Sequence, residues 1–383
     1  MTKDYFFNEE HQMFRESVRR FVQKEINTQI DKWEEQECYD KAIFKRMGDL
    51  DLLGLQYPKE YGGQHADIKT SLVFWEELSR CGALGFVTSV LTHTDMGSAC
   101  LHHAGSHEQK DKYLRGICTG EKLLAIAMTE PDHGSDVASI KTKAVLEGDN
   151  YRVNGTKMFI TNATQADFIT TVVRTGGPGH RGISLLLIDT DNPGFSVSRK
   201  LRKMGALSSD TAEIVFEDCL VPKENLFGGE NQGFYALMKG VEMERICIGA
   251  MTSTAAALAL EEAIKYARER TQFDRPIIDF QAVNHMIAEM ATEVEAGKRL
   301  LYHTVSMVDS GLKCNKEASM TKLFCAEMAI RVIDKALQIH GGYGYMKEFL
   351  VERLYRDVRL FTLGGGTSQV QKNVILTEMG VLS

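Results

Sequence analysis

Leu237, Val241, Glu244, Ile248, Met251, Ala255 and Leu258 follow one another at steps of four and three, which puts them on one helix face with Glu244 as its only charge. A carboxylate on an apolar face is costly unless it is paired, exposed or kept for a reaction. If paired, it forms a salt bridge with an arginine of another helix. If kept, it is a general base whose pKa is raised by burial. Adjacent Glu242 falls on another face and reads as a solvated residue. Asp95, in Thr92-His93-Thr94-Asp95-Met96-Gly97, is a second acid of interest, although capping or a surface pair is the commoner explanation for such an aspartate.

Four further segments carry groups suited to a ligand. Ala127-Met128-Thr129-Glu130-Pro131-Asp132-His133-Gly134-Ser135-Asp136 combines a glycine that permits close backbone approach with hydroxyl and amide donors for carbonyl or phosphate oxygens. Alone it would be a hydrogen-bonded turn between units. Lys157-Met158-Phe159-Ile160-Thr161-Asn162 adds a planar aromatic and a hydroxyl, which suit a flat ring such as an isoalloxazine; an aromatic on a strand is by itself ordinary core. Arg268, Arg270 and Arg275 bracket a helix end, where a pyrophosphate or the helix dipole equally explains them. Gln338-Ile339-His340-Gly341-Gly342-Tyr343 closes another helix with glycines, as a nucleotide contact or a C-cap. It is not a GxGxxG after a strand, which excludes a nicotinamide Rossmann site.

The elements that must position these groups fall into three textures. Residues 1–125 read as helical, opening with Asn8 as N-cap and Phe14, Val18, Phe21, Val22 and Ile26 at helix spacing; Tyr57-Pro58 and Tyr61-Gly62-Gly63 mark a loop within that unit. Residues 126–232 read as a compact antiparallel β unit, with strands at Tyr151–Val153 before an Asn154-Gly155 turn, Phe168–Val173, Ile183–Ile188 and Glu213–Phe216. Residues 233–383 read as a helical bundle, four-helix in type, with no proline between Pro222 and Pro276 or after Pro276. The fold class is α+β, its three units forming one rigid body.

At 383 residues, 43% apolar and 25% charged, the chain is of globular composition, and its net charge of -7 gives no general reason to bind nucleic acid or anionic membrane. Eight cysteines without a CxxC pair or metal-ligand spacing predict reduced thiols, a reducing compartment and no metal site. The acidic start, MTKDYFFNEEHQMF, is unlike a secretory signal and reads as a mature chain. The longest uncharged run, Ile246–Leu260, is 15 residues and interrupted by Thr252, Ser253 and Thr254, too short and polar to cross a bilayer.

In order and spacing these segments resemble the acyl-CoA dehydrogenase family over essentially the whole chain. The resemblance implies a helical domain, a β domain and a helical bundle that bind FAD, act on acyl-CoA in the cytoplasm of a bacterium or, as the less favoured setting, a mitochondrial matrix, and pass electrons to an electron-transfer flavoprotein. It places Met128, Thr129, Gly134 and Ser135 along flavin and thioester, and Phe159, where tryptophan is common, with Thr161 against the isoalloxazine. Arg270, Phe273, Gln281, Gln338, Gly341 and Gly342 look like contacts to the FAD of a neighbouring subunit, implying a homo-oligomer, usually a tetramer. Thr367 and Gln369 match a GTSQ stretch on the adenosine and pyrophosphate side of FAD.

Thioester α,β-dehydrogenation needs a carboxylate to take the α-proton while the β-hydride leaves to the flavin, and donors to the thioester carbonyl stabilise the developing enolate. In many family members that carboxylate is a glutamate just before the GTSQ stretch, but here the sequence reads Leu363-Gly364-Gly365-Gly366-Thr367. The amide of Gly365, with Gly364, Ser135 and Arg245, remains suited to the substrate. Isovaleryl- and long-chain-type members resemble this chain in pairing such a glycine with a glutamate in a stretch like Met243-Glu244-Arg245, which makes Glu244 the leading base. Members acting on cyclohexane- and cyclohexene-carboxyl thioesters also lack the C-terminal glutamate and use an aspartate near the position of Asp95, which would suit 1,4-elimination. The resemblance therefore favours a branched or cyclic substrate. An oxidase or carrier-protein dehydrogenase on the same scaffold, and a non-catalytic acyl-CoA or flavin binder, are the competing readings.

Overall fold

Asn8 caps the first helix as its sequence predicts. In the computed structural model, which describes residues 6–382, its side chain accepts from the His11 amide at 2.9 Å, and the Asn8 amide donates to His11 Nδ1 at 3.2 Å. Helix α1 (Glu9–Phe21) is followed by α2 (Ile30–Gln36), α3 (Ala42–Gly48), α4 (Ile68–Ser79), α5 (Leu84–Leu91), α6 (Ala99–Ala104) and two short helices, α7 (His107–Gln109) and α8 (Arg115–Cys118). Between α5 and α6 the residues Thr92–Met96 form a π turn closed by a 2.7 Å bond from the Gly97 amide to the Thr92 carbonyl. π turns recur at functional sites because they push one side chain out of helical register.

The chain then builds a sheet from β1 (Leu124–Ala127), β2 (Lys143–Glu147), β3 (Asn150–Thr161), β4 (Phe168–Arg174), β5 (Ile183–Asp189), β6 (Phe195–Lys200), β7 (Thr211–Pro222) and β8 (Leu226–Phe227). Its order is β6-β7-β3-β2-β4-β5-β8, with β1 joined to β4. Most ladders are antiparallel, as the sequence suggests, but β1 runs parallel to β4 and β2 meets β4 in parallel at Lys143 and Arg174. Parallel pairing needs a long connection, and residues 128–167 supply it.

The Asn154-Gly155 pair is not a turn. Strand β3 runs through it, and the register against β7 slips between Val153 and Gly155. A Cβ on Gly155 would lie 2.5 Å from Thr142 Oγ1, so glycine is required by close approach inside a bulged ladder. The hairpin turn is instead at Gly148, φ +62°, between β2 and β3.

Helix α9 (Gly233–Glu269) follows, then a ribbon of β9 (Thr271–Gln272) and β10 (Arg275–Pro276), and α10 (Gln281–Asp309), α11 (Asn315–His340), α12 (Leu350–Val358) and α13 (Ser368–Glu378). With no proline to stop it, α9 runs 37 residues, about 55 Å at the helical rise. By length and composition it could cross a bilayer, which the uncharged-run argument did not anticipate, but 78% of its apolar window is buried inside the fold. It is the core helix, packed on α10, α11, α4 and α6. Every residue from Arg245 to Ala256 is buried, so the single-face stripe read from sequence is part of a helix enclosed all round. All eight cysteines are free thiols.

Candidate active site

Gly365 sits in the loop between α12 and α13 with φ +63°, and a Cβ built on it would lie 2.3 Å from Ile248 Cδ1 and 3.2 Å from Glu244 Oε1. The space that a side chain at 365 would enter is therefore held by Glu244 and Ile248 of α9. Residues far apart in sequence thus meet where the loop crosses the helix. Glu244 has no hydrogen bond or ion pair among the described residues, and desolvation pushes its carboxyl above the usual glutamate value, against the pull of Arg245 and Lys322. The amides of Gly365 and Gly366 donate to no acceptor among the described residues.

The salt-bridge alternative for Glu244 is not what the structure holds. Arg245 turns the other way: its guanidinium donates to Asn315 Oδ1 at the start of α11, its Nε is buried without a partner, and burial lowers its pKa. Glu242 corrects the sequence reading, because it is partly buried and accepts from the Cys314 thiol at 2.7 Å, having rotated toward α11 rather than solvent.

Asp95 lies on the π turn, partly buried, where desolvation pushes its carboxyl up to about 6 against hydrogen bonding from Thr94. The Thr94 hydroxyl donates to it. Asp95 and Glu244 both raise the pKa of the buried thiol of Cys247, behind the burial that raises it most. The Tyr57 hydroxyl braces the turn, donating to the Thr94 carbonyl at 2.6 Å.

Phe159 and Thr161 stand on β3. Phe159 is 66% exposed and in the left-handed region, φ +62°, where the β3–β7 register slips again between Lys157 and Ile160. A large aromatic held outward in a strained conformation fits a stacking face for a planar ring. Beside it the 128–135 loop is pinned by backbone: the Met158 amide donates to the Thr129 carbonyl at 2.8 Å, and Lys157 Nζ donates to the Met128 carbonyl at 3.0 Å. Gly134 and Ser135 are exposed, and no atom lies within 4 Å of a Cβ built on Gly134.

Sequence reasoning missed the brace behind this wall. Lys157 and Glu130 form a buried pair at 3.0 Å, and Glu130 also accepts from the amides of Lys141 at 2.6 Å and Thr142 at 2.8 Å. Burial pushes Lys157 down to about 8 against the attraction of Glu130. Removing one partner strands a buried charge, so Lys157→Met is expected to destabilise the fold by about 3 kcal/mol in thermal or chemical denaturation. Adding Glu130→Gln removes the stranded charge while keeping an acceptor for one of the two amides, and should recover part of that loss. A single variant as stable as wild type would refute the brace.

Arg270, Gly341 and Gly342 come together, with Tyr266 and Tyr343, around an open groove of about 470 Å³. Arg270 lies over the Tyr343 ring at 5.9 Å. Phe273, 86% exposed at φ +51°, projects from the ribbon; Gln281 opens α10 and Gln338 lies on the last turn of α11, both exposed. These residues form a surface away from Glu244 within one chain. At the other loop Thr367 caps α13, its hydroxyl accepting from the Val370 amide at 3.2 Å, with Gln369 exposed on the first turn and Gly364 partly buried before the cap. Lys322 and Gln371, which hold the carbonyls of Gly365 and Gly366, were also missed.

Three family profiles match the chain: acyl-CoA dehydrogenase N-terminal domain at residues 8–121, middle domain at 125–219 and C-terminal domain at 231–380. The chain is 42% identical to the caffeyl-CoA reductase-Etf complex subunit CarC of Acetobacterium woodii, over 97% of this chain and 98% of the relative. It is 40% identical to a 3-(aryl)acrylate reductase of Clostridium sporogenes, over 98% and 99% of the two chains. A solved acyl-CoA dehydrogenase of Bacillus anthracis in complex with FAD superposes with a TM-score of 0.93 at 32% identity, covering 99% of this chain and 68% of that one.

Proposed function

The chain belongs to the acyl-CoA dehydrogenase family of FAD-dependent oxidoreductases, and from that premise we propose that it carries out α,β-dehydrogenation of a branched or cyclic acyl-CoA with Glu244 as the base. The observation that carries this reading is the position of the Glu244 carboxylate, 3.2 Å from where a side chain at Gly365 would begin and without a partner of its own. A relocated base needs that space, and Gly365 leaves it free.

The residues then divide the work. The thioester carbonyl accepts from the Gly365 amide, which draws charge onto its oxygen and acidifies the α-carbon. Glu244 removes the α-proton, and the electron pair left behind forms the double bond as a hydride departs from the β-carbon. Bound FAD supplies the acceptor for that hydride. Phe159 and Thr161 wall the ring, Met128, Thr129 and Ser135 line its edge, and Arg245 borders the substrate. The groove of Arg270, Gly341 and Gly342, with Phe273, Gln281 and Gln338, serves the FAD of a neighbouring subunit in a homotetramer, and Thr367 and Gln369 flank the adenosine side. Electrons pass to an electron-transfer flavoprotein. The free thiols fit a cytoplasmic setting.

Two readings of the chemistry have specific support. Asp95, partly buried on the π turn with its carboxyl pushed up to about 6, supports 1,4-dehydrogenation of a cyclic enoyl-CoA such as the cyclohex-1-ene-1-carboxyl thioester. The two relatives at 40 and 42% identity are named as reductases, which supports the same proton and hydride transfers run toward saturation. Anaerobic flavin bleaching by straight-chain, isovaleryl, cyclohexane- and cyclohexene-carboxyl thioesters tests the substrate; oxygen consumption by the reduced enzyme tests for an oxidase, and reoxidation by arylacryloyl-CoA tests the reductive direction. Short straight chains as best substrates would sink the branched or cyclic assignment. Asp95→Asn is expected to slow α,β-dehydrogenation by less than about tenfold, against the roughly 10²–10⁴-fold that a positioned proton-transfer group supplies. A larger loss confined to cyclohexene substrate makes Asp95 the base of a 1,4-elimination.

A further inference from the structure

Lys322 is fully buried on α11, in a run of Ala318, Ser319, Thr321, Cys325 and Ala326 that is otherwise uncharged and buried. Its ammonium makes one hydrogen bond among the described residues, 2.6 Å to the Gly366 carbonyl. An ammonium has three donors, and burying it with one of them used is expensive where a methionine would pack as well. Gln371 Nε2, on α13, donates to the Gly365 carbonyl at 3.0 Å and the Gly366 carbonyl at 3.1 Å. Three consecutive glycines are a poor platform for a donor because they order at high entropic cost. With both carbonyls held from behind, the free amides of Gly365 and Gly366 have one orientation.

Resting on the reading of Glu244 as base, we propose that Lys322 is a positioning residue for the reaction, pinning the Gly365–Gly366 turn to α11 while presenting its positive charge to the Glu244 side of the cleft. The groups around Glu244 define what that charge opposes. Arg245 on the same helix and Lys322 on α11 favour the carboxylate, while burial opposes it. The thiols of Cys100 on α6 and Cys247 on α9 adjoin it, and Asp95 faces Cys247 from the π turn. Arg245 is committed to Asn315, so Lys322 is the cation that links the amide donor and the base. Glu244 and Glu327 in turn help retain the Lys322 charge, which burial pushes down to about 8.

The test uses FAD-loaded enzyme and a 3-thiaacyl-CoA matched to the preferred substrate, a thioester that can lose its α-proton but cannot complete dehydrogenation. Its ionisation, followed by the long-wavelength band it gives beside the flavin, requires the site to lose one net proton, which a neighbouring cation favours. Lys322→Gln keeps a donor for Gly366 and removes the charge, so its midpoint should move up by roughly one pH unit with affinity near wild type. Lys322→Met removes both and should show the same shift with about tenfold weaker binding by calorimetry. Wild-type midpoint and affinity in both variants would overturn the proposal, and should Lys322→Met fail to fold, an unshifted midpoint in Lys322→Gln overturns it alone. Glu244→Gln in parallel separates the premise: ionisation that persists there removes Glu244 as base, whereas an unshifted Lys322→Gln beside an inert Glu244→Gln removes only Lys322.

Discussion

Anaerobic flavin reduction by acyl-CoA is expected to slow roughly a thousandfold in Glu244→Gln, with flavin content unchanged and thermal stability equal or higher. Glutamine has the shape of glutamate but cannot take the α-proton, and Glu244 is the acid whose oxygen lies 3.2 Å from a Cβ built on Gly365. The stability half of the expectation separates a base from a structural residue. A carboxyl whose folded pKa lies above its unfolded value binds more protons folded than unfolded near that pKa, so it costs stability as pH rises through it. Removing such a group relieves that cost. Activity runs the other way: the wild-type rate should fall as pH drops through the raised Glu244 pKa, at higher pH than an ordinary glutamate would give. Stopped-flow bleaching across pH, with denaturation curves on the same samples, reads both slopes. A Glu244→Gln enzyme within tenfold of wild type would remove Glu244 from the proton transfer.

The parts of the fold legible from sequence are those set by local rules. Asn8 read as a cap because capping is decided within one turn, and the proline-free stretch after Pro222 read as a long helix because nothing in it stops one. Asn154-Gly155 misled because the signature of a hairpin turn is shared by a bulge; what distinguishes them is Thr142, packed against Gly155 from another segment. Glu242 misled in the same way, since its face on α9 was legible but the Cys314 thiol that meets it was not. The candidate site shows this limit most clearly. The segments that line it were visible as residue types, whereas Lys322, Gln371 and the Lys157–Glu130 pair act by what they face across the fold. The apolar stripe drew attention to Glu244 for a reason that only partly holds, because the helix around it is buried on every side.

Gly365→Glu returns a carboxylate to the position where many family members carry one, and here it is expected to reduce turnover by more than about a hundredfold rather than help. Three effects combine. The backbone at φ +63° disfavours any side chain, by roughly 1–2 kcal/mol. The new Cβ would meet Ile248 Cδ1 at 2.3 Å, so the buried Ile248 side chain must turn aside, and where its packing resists, the Gly365 turn and its amide shift. The new carboxylate would also lie against Glu244, and two like charges in one desolvated site raise the pKa of at least one, taking the base out of its reactive form. A rescue should exist: adding Glu244→Ala and Ile248→Ala clears the clash and the repulsion, so Gly365→Glu in that background should exceed the Glu244→Ala/Ile248→Ala parent at least about tenfold, the lower part of what a positioned base supplies. Only the backbone cost would remain. Melting temperatures for the four proteins separate strain from lost chemistry, since the single variant should melt below wild type and the combined variant should recover part of that drop. If Gly365→Glu alone matched wild type in rate and melting temperature, Glu244 and Ile248 could not be filling that space, and the base would have to be sought at Asp95.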